Sequence, residues 1–254
     1  PARRPCAVER RMNRQRRGRG VPWLEPPGRA GLHSPSMTEH EFARQVDRLV
    51  DLGYPGLLTV STADFRKALE PLAVHAEGRA SAGGAASDAL SGSDGHVDLV
   101  IVIDVPLLAT SDQVPLIERR GVSAIESLYP REVQDFSPIE SVRLPAGDAY
   151  LLLDVDRGAD TIDVTPNDAF AIIEGRGRSP LTIAEGLALL THHPEFLQPN
   201  NCFSLLASRA SDKRVPALWL SDGRPKLGWC WAGNPHTWLG SASCGERVGA
   251  GVRF

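Results

Sequence analysis

The sequence is poor in lysine, cysteine and long apolar runs, and each shortage excludes something. Lys67, Lys213 and Lys226 are the only lysines, so arginine supplies 25 of the 28 basic residues. With Ala, Gly and Pro abundant, that bias reads as a GC-rich coding sequence, and a single arginine is weak evidence of an anionic partner. No apolar run approaches the roughly 18 residues of a membrane-spanning helix, so no membrane partner is expected. Cysteines stand at 6, 202, 230 and 244 without a CxxC pair, and no secretory-signal pattern precedes them. A disulfide framework is therefore not indicated, and a reducing cytoplasm is the expected location. No GxSxG elbow leads into Ser241 or Ser243, so those serines carry no nucleophile signature.

Charge is divided along the chain. Residues 1–36 hold nine arginines and two glutamates, a balance of +7, while the remainder carries −10. The first stretch has no apolar periodicity and many Pro and Gly residues, so it is expected to be a disordered basic arm. Met37 follows it and opens a capping-box pattern, Thr38 with Glu41, which gives the arm the character of an upstream extension of the reading frame. The acidic body after it is not expected to bind nucleic acid.

From Thr38 the apolar residues Phe42, Val46, Leu49 and Val50 recur at helical spacing and are closed by Gly53 and Pro55. A second helix starts at Ser61 or Thr62 and carries Phe65, Leu69 and Leu72. Residues 78–96 form a flexible low-complexity stretch. Beyond it, 97–105 and 149–155 read as strands buried on both faces, with weaker strand signals over 114–119, 123–128 and 141–144. Thr165-Pro166 starts a short helix stopped by Gly175, and Thr182 with Glu185 makes a capping box for another that ends before Pro194. Residues 217–220 and 226–231 flank an Asp222-Gly223 turn, a hairpin signal. The expected fold is α+β: a single mixed domain over 37–254 with N-terminal helices, a central sheet and a C-terminal Trp-rich hairpin.

Chemistry concentrates after residue 200, where Trp219, Trp229, Trp231 and Trp238 stand among Cys202, Cys230 and Cys244. Cys202, Cys230, His236 and Cys244 match a Cys₃His zinc set in type, but intervals of 28, 6 and 8 do not form knuckle pairs, so no cofactor is expected and zinc is the alternative. Strand alternation puts Leu227, Trp229 and Trp231 on one face and Gly228 with Cys230 on the other. A ligand pocket would use Trp231 or Trp238 as a flat wall, with Asn234 and His236 as polar handles on a surface turn. The catalytic alternative is a hydrolase or transferase using Cys230 or His236, with or without a metal. Arg176, Arg178, Ser179 and Thr182, at a turn leading into a capped helix, form a candidate anion site. The acidic run 154–163 superficially matches a calcium loop but lacks the glycine at its sixth position and the glutamate at its twelfth. His192-His193 falls at a helix end, where hydrogen-bonding side chains are favoured.

Several short segments also carry a resemblance: Leu52-Gly53-Tyr54-Pro55, Gly177-Arg178-Ser179-Pro180-Leu181-Thr182, Asn201-Cys202-Phe203-Ser204-Leu205-Leu206, Val215-Pro216-Ala217-Leu218-Trp219 and the Trp-Cys-Trp ending. Together they resemble an uncharacterised family of high-GC Gram-positive bacteria, covering about residue 37 to the end. The resemblance implies a bacterial, cytoplasmic, single unit and no reaction. The functional expectation is a domain that binds a small molecule or a protein through its C-terminal Trp/Cys/His segment. An acidic interaction protein without a small-molecule site is the remaining alternative.

Overall fold

A computed structural model describes residues 37–77, 92 and 94–254. The basic arm expected over 1–36 and most of the low-complexity stretch lie outside these residues. Helix α1 (Met37–Asp51) turns Phe42, Val46 and Leu49 inward at spacings of four and three. Gly53 then takes φ 83°, a left-handed conformation that costs glycine little, and leads into the short helix Tyr54–Leu57. Helix α2 (Thr62–Glu77) follows. Its start is fixed by Ser61, whose Oγ accepts the Asp64 amide at 3.1 Å, and Phe65, Leu69 and Leu72 along it are fully buried.

The rest of the described chain alternates strands with helices, among them the one-turn helix Thr110–Gln113. In order come strands β1 (His96–Ile103), β2 (Ile125–Glu126) and β3 (Ala149–Asp156), helix α3 (Pro166–Gly175), strand β4 (Ser179–Pro180) and helix α4 (Ile183–His192). Strands β5 (Cys202–Ser204), β6 (Arg214–Ser221), β7 (Arg224–Trp231), β8 (Leu239–Ser241) and β9 (Ser243–Gly249) complete it. One sheet has the order β1-β3-β9-β4, and the other β8-β5-β6-β7-β2. The chain is thus α+β among the described residues, with two main sheets where one central sheet was expected.

The first sheet is apolar on both faces because both are covered. Leu99, Ile101, Ile103, Leu151 and Leu153 join the core under α1 and α2. Val100, Val102, Tyr150 and Leu152 join α4 and the second sheet on the other side. That double burial explains the nearly continuous apolar sequence of β1 and β3. The alternation inverts near Asp154, whose φ is 55°, so that the paired Val97 and Val155 lie on the α4 side.

Of the capping patterns expected, Thr165 accepts the Asp168 amide at the start of α3 and Thr182 and Glu185 cap α4 reciprocally, whereas Thr38 lies inside α1 and Glu41 is taken by Arg44 and Gln45 instead of closing a box with it. The hairpin of β6 and β7 pairs Ser221 with Arg224 across Asp222-Gly223, both at positive φ, the primed turn that suits strand twist. The weaker strand signals fare differently. Over 114–119 the chain forms the short helical turn Val114–Leu116, because Pro115 has no amide to give a ladder, and only Glu118–Arg119 is extended into a pair. Pairing over 123–128 is confined to Ser123 and β2, and 141–144 forms no regular element. After the Trp-rich hairpin the chain does not stop at the second sheet. It contributes β8 there and then runs as β9 between β3 and β4, tying the two sheets together.

Candidate functional site

Three two-residue turns meet at one end of the second sheet. Arg120-Gly121, both at positive φ, joins the paired segments Glu118–Arg119 and Val122–Ser123. Pro199-Asn200 reverses the chain between Gln198 and Asn201, with Asn200 left-handed. Asp222-Gly223 is the hairpin turn already described. Between them lies a cleft of about 630 Å³ lined by Arg119, Arg120, Val122, Pro199, Asn200, Cys202, Trp219, Leu220, Gly223 and Trp238. That volume is in the range of small-molecule sites.

The two tryptophans are held by their strands. Trp219 faces Lys226 across the hairpin, and its ring lies directly on Gly228, where an added Cβ would come within 2.1 Å of it. The absence of a side chain at 228 is therefore what lets the end of the indole lie against β7. Trp238 immediately precedes β8, and its carbonyl accepts the Cys202 amide at 2.9 Å. The two rings stand edge to face, 6.3 Å apart at 62°, and His236 flanks Trp238 at 5.2 Å. Opposite charge is concentrated on the hairpin of Arg119 and Arg120. Glu195 bridges them, accepting from Arg119 Nη2 at 2.8 Å and from Arg120 Nε at 3.1 Å. The Arg119 Nε is buried and has no hydrogen-bond partner among the described residues. Cys202 donates from Sγ to the Gln198 carbonyl at 3.4 Å, and burial pushes its thiol up, so it enters the site as a protonated, apolar wall.

The residues singled out from sequence divide between several places. Trp238 lines the cleft, whereas His236 only flanks the Trp238 ring and is not part of the lining. Nor is Trp231: it pairs edge to face with Trp229 at 5.1 Å, and the Arg214 guanidinium lies over both rings, at 4.2 Å from Trp229 and 4.6 Å from Trp231. Alternation along β7 thus separates the four tryptophans into two pairs, one on each face. Asn234 lies exposed in the turn after β7, where its amide donates to the Trp231 carbonyl at 3.1 Å.

The four anion-site candidates are likewise dispersed. Arg176 pairs with Asp160. Arg178 donates to Asp154 at 2.6 Å and to Ser243 Oγ at 2.9 Å. These two arginines border a small polar cleft of about 140 Å³ with Asp156, Asp160, Ser241 and Ser243. Ser179 instead accepts from Arg247 at 2.6 Å, and Thr182 is buried as the cap of α4. The amide end of that helix is already occupied by the Glu185 carboxylate, which accepts from the Thr182 amide, Tyr150 and Arg247.

The candidate zinc ligands have separate surroundings. Cys202 is in the cleft wall, Cys230 lies 3.7 Å from Ser204 Oγ, His236 packs tilted against Trp238, and Cys244 sits in the first sheet opposite Val155. Burial pushes the thiols of Cys230 and Cys244 up, the latter to about 12. Among the described residues no three His, Cys, Asp or Glu side chains are grouped to hold a metal. Arg119, Arg120 and Trp219 were not singled out from sequence for the cleft. The Arg120-Gly121 turn was the available signal, masked by the arginine-rich background.

Fold and cleft together define a mixed α+β protein with two main sheets and a solvent-open, aromatic and basic site at the turns of one. The chain belongs to a family of unknown function, DUF5701, whose model matches residues 48–250. No curated protein and no solved structure matches it.

Proposed function

We propose that this chain is a small-molecule-binding protein whose ligand enters the cleft between Trp219 and Trp238. The observation that carries this reading is the pair of indoles standing at 62° in a cleft of ligand size, rimmed by tight turns rather than filled by neighbouring side chains. Aromatic walls with a few polar groups are the usual composition of such sites. Catalysis by Cys230 draws less support, because burial favours its thiol over the nucleophilic thiolate. A bacterial, cytoplasmic setting, of high-GC Gram-positive origin, is supported by the arginine bias and by the unpaired state of Cys202, Cys230 and Cys244. A thermal-shift screen of small aromatic compounds tests the reading: compounds that raise the melting temperature of the wild type should lose that effect in Trp238→Ala and keep it in Trp231→Ala. Equal loss in both variants, or no active compound, would count against the cleft.

One observation favours a second reading, protein docking on the opposite face of the hairpin. Tyr129 is 89% and Trp231 40% exposed there, and the carbonyl of Tyr129 accepts from Trp229 Nε1 at 3.2 Å. Under that reading Tyr129→Ala abolishes association with a partner while leaving every response of the cleft unchanged.

A further inference from the structure

We infer that the ligand of this cleft is a flat aromatic monoanion, with a carboxylate held at the Arg119-Arg120 hairpin and its ring set in the corner of Trp219 and Trp238. This inference rests on the cleft being the ligand site and adds the chemistry of what fills it. Three observations support it. The charged residues lining the cleft are both arginines, so its wall favours an anion over a cation or a neutral polar ligand. Glu195 is shared between them and cancels one of the two charges, so the arginine hairpin itself offers a single net positive charge, enough for a carboxylate. Glu195 also leaves donors unused: Arg119, with only 4% of its side chain exposed, keeps an Nε–H without a partner among the described residues. That atom is closed to solvent, so the donors a ligand carboxylate would reach are those of Arg120, 70% exposed, whose bonds to Glu195 use Nε and Nη2.

The indole pair supplies the other half. Two planes at 62° offer a flat ring one aromatic face and one aromatic edge at once, the two arrangements that aromatic pairs prefer. Lys226, with Nζ 5.6 Å from the centre of the Trp219 ring, holds that indole from its side. Val122, Pro199, Cys202 and Leu220 add lining that competes little for the ligand's polar end, and Asn200 adds an uncharged polar side chain.

The test is calorimetric titration with a matched pair, 2-naphthoate and 2-naphthamide, which share ring and size and differ in charge. The inference predicts that the carboxylate binds at least about tenfold more tightly than the amide, the factor a charge-assisted hydrogen bond supplies. Arg120→Asn, which keeps a residue suited to the left-handed turn position, should erase most of that preference while leaving the melting temperature within about a degree. The preference should also shrink as salt rises from 20 to 300 mM in the titration buffer, since Arg120 is 70% exposed. Equal binding of acid and amide would overturn the inference and leave the cleft as a neutral aromatic site. Binding of neither would overturn both the inference and the cleft reading beneath it. A preference that survives in Arg120→Asn and in Trp238→Ala alike would place the anion elsewhere and also overturn it.

Discussion

At the scale of single residues the site turns on a glycine. Gly228 has no side chain where the Trp219 ring lies, and the nearest ring atom would be 2.1 Å from an added Cβ. Real contacts between a Cβ and an aromatic carbon are well over 3 Å, so Gly228→Ala must push the indole off the strand and open the corner it makes with Trp238. We expect this substitution to weaken naphthoate binding at least tenfold and to destabilise the fold by about 1 to 3 kcal/mol, measured by titration and urea unfolding. Wild-type affinity in Gly228→Ala would show that the position of Trp219 is immaterial. Strand alternation alone placed Gly228 and Cys230 opposite Trp229 and Trp231, and the structure agrees. It could not show which tryptophan from elsewhere lies over Gly228, because that depends on the register with β6.

At the scale of elements the first sheet has an outer strand whose backbone is satisfied by side chains. β1 is the terminal strand, and such an edge invites pairing with other chains. Gln45 of α1 blocks it: its Nε2 donates to the Leu99 carbonyl at 2.8 Å and its Oε1 accepts the Ile101 amide at 2.7 Å. His192, at the end of α4, donates from Nε2 to the Ile101 carbonyl at 3.0 Å. A carboxamide and an imidazole thus stand in for a neighbouring strand. Gln45→Leu would leave both backbone groups and the Glu41 carboxylate short of a partner, and should cost about 2 to 4 kcal/mol, with aggregation at high concentration. A change below about 0.5 kcal/mol in urea unfolding would contradict this role. The sequence made α1 legible through Phe42, Val46 and Leu49, but Glu41 reads there as a capping residue and nothing marks Gln45. Periodicity reports apolar faces and is silent on a polar residue buried because it bonds to a strand some 50 positions away.

At the scale of the whole molecule, the same polar seam couples stability to pH. Burial holds the His192 imidazole down to about 3, from an ordinary value of 6.5. Burial opposes the charge of Glu41, but hydrogen bonds from Arg44, His193 and Gln45 outweigh it and hold the carboxyl at about 2, below its ordinary 4.5. In each case the unfolded chain takes up a proton at a pH where the folded protein does not. Stability is therefore lost as pH falls, from 6.5 toward 3 through His192 and from 4.5 toward 2 through Glu41. Each group contributes a slope of at most about 1.4 kcal/mol per pH unit. His192→Gln, which keeps a donor for Ile101 and cannot become charged, should flatten the interval from about pH 6 to 4.5 in urea-unfolding experiments. An unchanged slope there would show that the histidine does not govern it.

The global reading depended on how local each signal was. Caps at Thr165 and Thr182 and the Asp222-Gly223 turn are local in sequence, and they formed as expected. The division into two main sheets and the return of β9 into the first sheet are pairings between distant segments, which local patterns do not encode. The cleft is of the second kind: its walls come from three turns about 80 and 20 residues apart, and the sequence marked Trp238 as a ligand wall, Cys202 as a zinc alternative and Asp222-Gly223 as a turn without bringing them together.

The central claim is that Trp219 and Trp238, rather than Trp229 and Trp231, meet the ligand. Each indole Nε1–H gives its own cross-peak in a ¹H–¹⁵N spectrum, and single Trp→Phe variants assign them. On titration with 2-naphthoate, the account predicts large, saturable shifts of the Trp219 and Trp238 peaks, with those of Trp229 and Trp231 unmoved. Shifts confined to Trp229 and Trp231, or no shift at any indole, would contradict it.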